Sequence, residues 1–172
     1  MSTNLQFIKE FEITGTLVQN FDCDNIFSSD YDAYFFTYEL KESSSGNDQW
    51  VRMRLIDSSG SVISDSEYDY AQLVLPSNAT YYQTVGVAQD NWTYAGVGYS
   101  DDTGNAGSIY IYSPNDSGSY TYLTTQASST VGNTLYGTKG IGVHKAAETI
   151  RGLRFYTTTY WNSGSVSVYG VK

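Results

Sequence analysis

Short runs of strict alternation, broken by clusters of Gly, Ser, Asn and Asp, recur along the chain. Tyr34, Phe36, Tyr38 and Leu40 fall at period two, and Val51, Met53 and Leu55 alternate with Arg52 and Arg54. A period of two sends successive side chains to opposite faces of a strand, whereas a helix needs a period of 3.6. Further alternating or β-prone segments lie at Phe11–Leu17, Tyr68–Leu75, Tyr81–Ala88, Trp92–Tyr99, Ser108–Tyr112, Tyr120–Thr125, Leu135–His144, Ile150–Thr158 and Val166–Val171. Between them stand turn sequences such as Asp57-Ser58-Ser59-Gly60 and Ser113-Pro114-Asn115-Asp116-Ser117-Gly118. This rhythm of about ten short strands predicts an all-β, single-domain, antiparallel β-sandwich over residues 1–172. Only Val143–Thr149 has room for a helical turn. Tyr34–Leu40 is apolar on both faces over its first half, so it is expected to be central.

Composition explains how such a chain fills a core. The 172 residues suit one domain. Leu, Ile, Val and Phe together number only 37, and the missing apolar area falls to 17 Tyr and 3 Trp. Two Pro and 16 Gly fit strands joined by tight turns. No apolar run approaches the roughly 20 residues of a membrane span. Met1-Ser2-Thr3-Asn4 leads straight into an alternating segment, so no Sec-type signal peptide is expected.

Charge and rare residues exclude several chemistries. A net charge of −9 disfavours nucleic acid as a partner. One cysteine, Cys23, leaves no internal disulfide, and the two acids beside it disfavour its thiolate. One histidine, His144, leaves no His-paired metal site and no serine triad beside Ser163-Gly164-Ser165. It is assigned to packing or to the surface. Asp22, Asp24, Asn25, Asp30 and Asp32 do not match an EF-hand loop, since Ile26 and Phe27 occupy ligand places. Calcium near Asp22–Asp24 stays open. Asp101-Asp102 and the set Asp65, Glu67, Asp69 are the only offers of a glycosidase pair, and acids in Gly/Ser loops are usually wet. No enzyme, metal or cofactor is therefore expected.

Two surface features remain. Trp92, Tyr94 and Tyr99 flank an acidic Gly-rich loop, and Tyr160-Trp161 precedes the last strand. Amphipathic rings near loops are candidate contacts for a glycan or a protein partner, and core or subunit packing is the competing role. Seventeen of the eighteen acids lie in residues 1–116, while five of the nine bases lie in 117–172. Lys139, Lys145, Arg151 and Arg154 are thus candidates for docking on an acidic partner, in a salt-sensitive way.

The C-terminus carries a recognisable pattern. Glu148-Thr149-Ile150-Arg151-Gly152-Leu153-Arg154-Phe155-Tyr156 is followed by Ser163-Gly164-Ser165-Val166-Ser167-Val168-Tyr169-Gly170-Val171-Lys172. This ending resembles that of jelly-roll virion structural proteins of tailed bacteriophages, including marine cyanophages. Asp32-Ala33-Tyr34-Phe35-Phe36, Val51-Arg52-Met53-Arg54-Leu55 and Ser108-Ile109-Tyr110-Ile111-Tyr112-Ser113-Pro114 are similar to upstream strands of that group. The group's Asn-rich hairpin and its Lys-Tyr-Lys segment have no counterpart. The resemblance implies a jelly-roll-like sandwich, made in a host cytoplasm and displayed on a virion as a head decoration or short fibre module. It also implies self-association, most commonly as a homotrimer, beside other virion proteins. The other reading is a carbohydrate- or receptor-binding module of a tail fibre that contacts a host glycan. The terminal strand is expected to pair with the early strand around Ile13 and Leu17, which would otherwise be an open edge.

Overall fold

The computed structural model describes residues 5–14, 17–43, 49–93, 99–100 and 104–172, and among these every regular element is a β-strand. The strands are β1 (Leu5–Ile13), β2 (Val18–Cys23), β3 (Ala33–Glu42), β4 (Gln49–Trp50), β5 (Arg52–Asp57), β6 (Tyr68–Pro76), β7 (Tyr82–Gln89), β8 (Tyr99–Ser100), β9 (Asn105–Tyr112), β10 (Thr121–Val131), β11 (Thr134–His144) and β12 (Ile150–Val171). Every pairing is antiparallel. The main sheet runs β1-β12-β3-β9-β10-β11-β6-β7, and β2 and β5 join it only through β12.

The 22-residue β12 organises the molecule. Its first part, Ile150 to Tyr156, lies between β2 and β5. Its last part, Ser163 to Val171, lies between β1 and β3. The register shifts around Trp161, where one ladder hands over to the other. Gly164 follows at φ +154°, and a Cβ there would stand 2.5 Å from the Glu39 carbonyl oxygen, so the close approach requires glycine. Each part of β12 turns alternate residues into one continuous core. Leu153 and Phe155 enter it from the first part, Val166 and Val168 from the last. The Tyr38 and Phe155 rings meet at 5.8 Å across it. Tyr34, Phe36, Tyr38 and Leu40 of β3 are all buried, as their parity requires. Each such side chain contributes about 1.5–3 kcal/mol on burial, and the buried tyrosines stand in for the scarce leucines.

Several elements differ from the sequence-based expectation. The early strand sits upstream: Ile13 pairs with Gly164 and Phe11 with Val166, and Leu17 lies outside the ladder. The two C-terminal strands are one bent strand, because Thr157 to Asn162 stays extended through the shift. Val143 and His144 end β11, and residues 145–149 form no helix. Trp92 makes an isolated bridge to Met53 and belongs to no long strand. β3 is central as expected, flanked by β12 and β9.

Candidate functional site: an apolar sheet face

The candidate ring platform is largely core. Trp92 and Trp161 are fully buried. Trp92 donates its indole N–H to the Val143 carbonyl at 3.3 Å and packs edge-on against Tyr68 at 4.9 Å. Trp161 lies at the β12 handover, opposite Val18 and Glu42. Tyr160 is the neighbour that points out, 47% exposed. Tyr94 and the side chain of Tyr99 lie outside the described residues. Of the two roles open to Trp92 and Trp161, core packing is the one found, and they are no longer candidates for contact with a ligand. In a chain poor in Leu, the largest rings go where they bury most area.

The basic stretch is corrected in the same way. Arg154 donates two hydrogen bonds to Asp22, at 2.6 and 2.7 Å. Arg151 does the same to Asp24, with both bonds at 2.8 Å. Antiparallel pairing of β12 with β2 places Arg154 directly opposite Asp22. Lys145 Nζ lies 2.8 Å from Asp69. Three of the four candidate docking cations are therefore matched within the chain, and forked pairs of this kind fix the register between strands. Lys139 alone is exposed without an ion pair to a described residue. The same pairs occupy the Asp22 and Asp24 carboxylates that a calcium ion would need. Asp101 and Asp102 lie outside the described residues.

What the ladders assemble instead is a row of outward side chains at matched register across the main sheet. It runs Phe7, Tyr169, Phe35, Tyr110, Thr124, Ile141, Ala71, Val85, one residue from each of eight strands. Rings touch along the first half: Phe7 and Tyr169 at 5.7 Å, Tyr169 and Phe35 at 6.1 Å, Phe35 and Tyr110 at 4.6 Å. Directly opposed side chains on one face are the contacts that stabilise such a sheet. A second row, two residues along, contains Leu5, Val171, Ala33, Tyr112, Tyr122, Val143 and Asp69. On the other side the next row is polar as far as β11, with Glu10, Ser167, Thr37, Ser108, Gln126 and Lys139, and continues on β6 with the exposed Leu73. From β1 to β10 the face is thus divided into an apolar half and a polar half.

The apolar half is open to solvent. Val85 is 68% exposed, Ile141 60% and Phe7 57%. Between β7, β6, β11 and β10 it dips into a groove of about 520 Å³ lined by Val85, Val87, Ala71, Ile141, Val143 and Tyr122. Eight strands about 4.8 Å apart and two rows each about 7 Å wide give roughly 540 Å² of projected surface. That is near the upper end of the largest patch found on typical monomers. Tyr110 and Tyr112 share this outward face, with rings stacked at 6.2 Å, while Tyr68 and Tyr70 share the buried one. The row as a whole was missed because its members come from eight separated segments. Comparison with protein-family models, curated proteins and solved structures gives no match.

Proposed function

We propose that the chain is a non-enzymatic structural protein of a bacteriophage particle, displayed as a head decoration or fibre module, and that it assembles with further copies of itself through the apolar half of the sheet face. The observation that carries this reading is the eight-strand apolar row. A partner seated on it would cover over half of the roughly 800 Å² per subunit that a standard interface buries. The two edges of the sheet differ in a way that supports it. β1 carries Lys9, Glu10 and Glu12 along its length, charges that discourage edge pairing. β7 reads Tyr-Gln-Thr-Val-Gly-Val-Ala-Gln and carries none. Growth of an assembly is therefore favoured at the β7 side, beside the groove. A three-fold arrangement is the form the resemblance implies.

The terminal strand supports the virion reading in physical terms. Val166 and Val168 are buried and Gly170 lies under Tyr31, where a Cβ would meet the ring at 2.5 Å. Within the Tyr-Gly-Val-Lys ending Gly170 is thus interior, while Tyr169 belongs to the outward row. The glycan-platform reading loses its two tryptophans to the core.

The test is the solution mass of the purified chain by light scattering, over a concentration series. We expect an oligomer that Tyr110→Lys with Ile141→Lys disperses to monomer without loss of the β-sheet spectrum. A monomer at every concentration, with the same mass in the variant, would overturn the self-association. Antibody labelling of intact particles tests location, and unlabelled particles from cells that make the chain would overturn the virion role.

A further inference from the structure

At the end of β11 the chain buries its one imidazole against carboxylates. His144 has no accessible side-chain surface, and among the described residues neither ring nitrogen makes a well-formed hydrogen bond. Nε2 nevertheless lies 3.3 Å from Glu67 Oε2 and 3.8 Å from Glu148 Oε1. The three donor atoms lie within 4.8 Å of one another. Leaving a buried nitrogen unpaired costs free energy, and so does holding two carboxylates together at a half-buried spot.

From these contacts we infer that His144 Nε2, Glu67 and Glu148 form a binding site for a divalent transition-metal ion of the zinc type. Zinc–nitrogen and zinc–carboxylate bonds are about 2.0–2.2 Å, and tetrahedral angles then put the ligand atoms about 3.3–3.6 Å apart. In that arrangement each oxygen stands well off the axis of the nitrogen lone pair. It is therefore a poor hydrogen-bond acceptor while remaining at short distance, which agrees with the two close but poorly bonded oxygens beside Nε2. The Glu67 contact already matches. Glu148 has to close from 3.8 Å to Nε2, and from within 4.8 Å of its neighbouring ligand atoms, a movement of up to about an ångström that its 36% exposed side chain is free to make.

The surroundings favour a cation. Asp57 and Asp65 lie close enough to add their charges to those of Glu67 and Glu148 at this spot. The nearest lysine, Lys145, is committed to Asp69. Behind the ring, Tyr68 packs at 4.9 Å and is itself fixed, accepting from the Leu55 N–H and donating to the Ile63 carbonyl. The imidazole is thus preorganised. One His with two carboxylates suits zinc or cobalt, whereas calcium and magnesium take oxygen ligands. The ion would be structural, tying the end of β11 to the turn before β6 and to the loop before β12. The inference does not depend on self-association.

The experiment takes the purified chain, strips it with a chelator, and adds Zn²⁺, Co²⁺ or Ca²⁺ while thermal unfolding and binding heat are measured. We expect one Zn²⁺ per chain, with Tm raised by ~5–10 °C at a hundredfold excess over Kd. Co²⁺ should give a visible absorption band, and Ca²⁺ at equal concentration should leave Tm unchanged. Glu67→Gln, Glu148→Gln and His144→Gln should each remove the Zn²⁺ shift. The two Glu variants should match or exceed the stripped wild-type chain in Tm, since they relieve carboxylate repulsion. No zinc-dependent shift, or a shift that survives Glu67→Gln with Glu148→Gln, would overturn the site.

Discussion

Replacing Trp161 separates a core role from a ligand platform. The side chain has no accessible surface and sits where β12 passes from the β2/β5 ladder to the β1/β3 ladder. Truncating a buried Trp to Ala costs about 3–5 kcal/mol through lost transfer energy and the cavity left behind. For a chain of 172 residues each kcal/mol moves Tm by about 2–4 °C, so Trp161→Ala should lower Tm by ~6–20 °C. Trp161→Phe supplies the control. The indole N–H has no hydrogen-bond partner among the described residues. Phe therefore forfeits volume but also removes a buried unsatisfied donor, and the loss should be less than half that of Ala. The assay is thermal unfolding followed by far-ultraviolet circular dichroism, with urea midpoints as a check that the transition stays cooperative. A Trp161→Ala chain that melts within ~2 °C of wild type would refute the core assignment, most directly if it also lost affinity for a glycan.

Two other perturbations test the polar side of the fold. The Ser59 hydroxyl and the backbone N–H groups of Ser61, Ser59 and Gly60 hold Asp57 below the usual carboxylate range, and Lys145 with the Ala88 N–H does the same for Asp69. A carboxyl depressed in the folded state stabilises it above the unfolded pKa of about 4 and loses that contribution as pH falls through the folded value. Urea midpoints should therefore drop below about pH 4, and drop less steeply in Asp57→Asn with Asp69→Asn; parallel curves would refute the assignment. Burial, then the Asp22 charge, pushes the Cys23 thiol far above its ordinary value. A thiol reagent should find no reactive group in the native chain and one in denaturant, and prompt native labelling would show that the β2 strand opens.

The strands were legible where one face is apolar and the other polar. β5 follows its parity closely, with Met53 and Leu55 inside and Arg52 and Arg54 outward, because a one-residue slip would move the apolar set to the wrong side. Which face of an evenly aromatic strand turns inward was not legible. β10 alternates Tyr122 and Thr124 with Leu123 and Thr125, and only the ladder decides that the first pair faces out. Ion pairs were hidden for a related reason. Arg154 and Asp22 are 132 positions apart, and nothing local shows that they will be opposed. The charge asymmetry between the two parts of the sequence was real, but it records cross-strand matching inside one molecule. The His144 cluster was out of reach because Glu67 and Glu148 stand in irregular segments, whose spacing carries no period.

The dependence of β1, β2, β3 and β5 on β12 bears on how the chain reaches this structure. All four take a ladder partner from residues 150–171, so more than ninety residues separate each from that partner. Among the described residues β1 and β2 have no other strand partner. During synthesis at about 5–20 residues per second these segments wait several seconds with unpaired edges and exposed rings. Such non-local closure is slow and raises the risk of intermolecular pairing. Local hairpins such as β10–β11 have no such delay, so the two ends of the main sheet are expected to mature in opposite order to their synthesis.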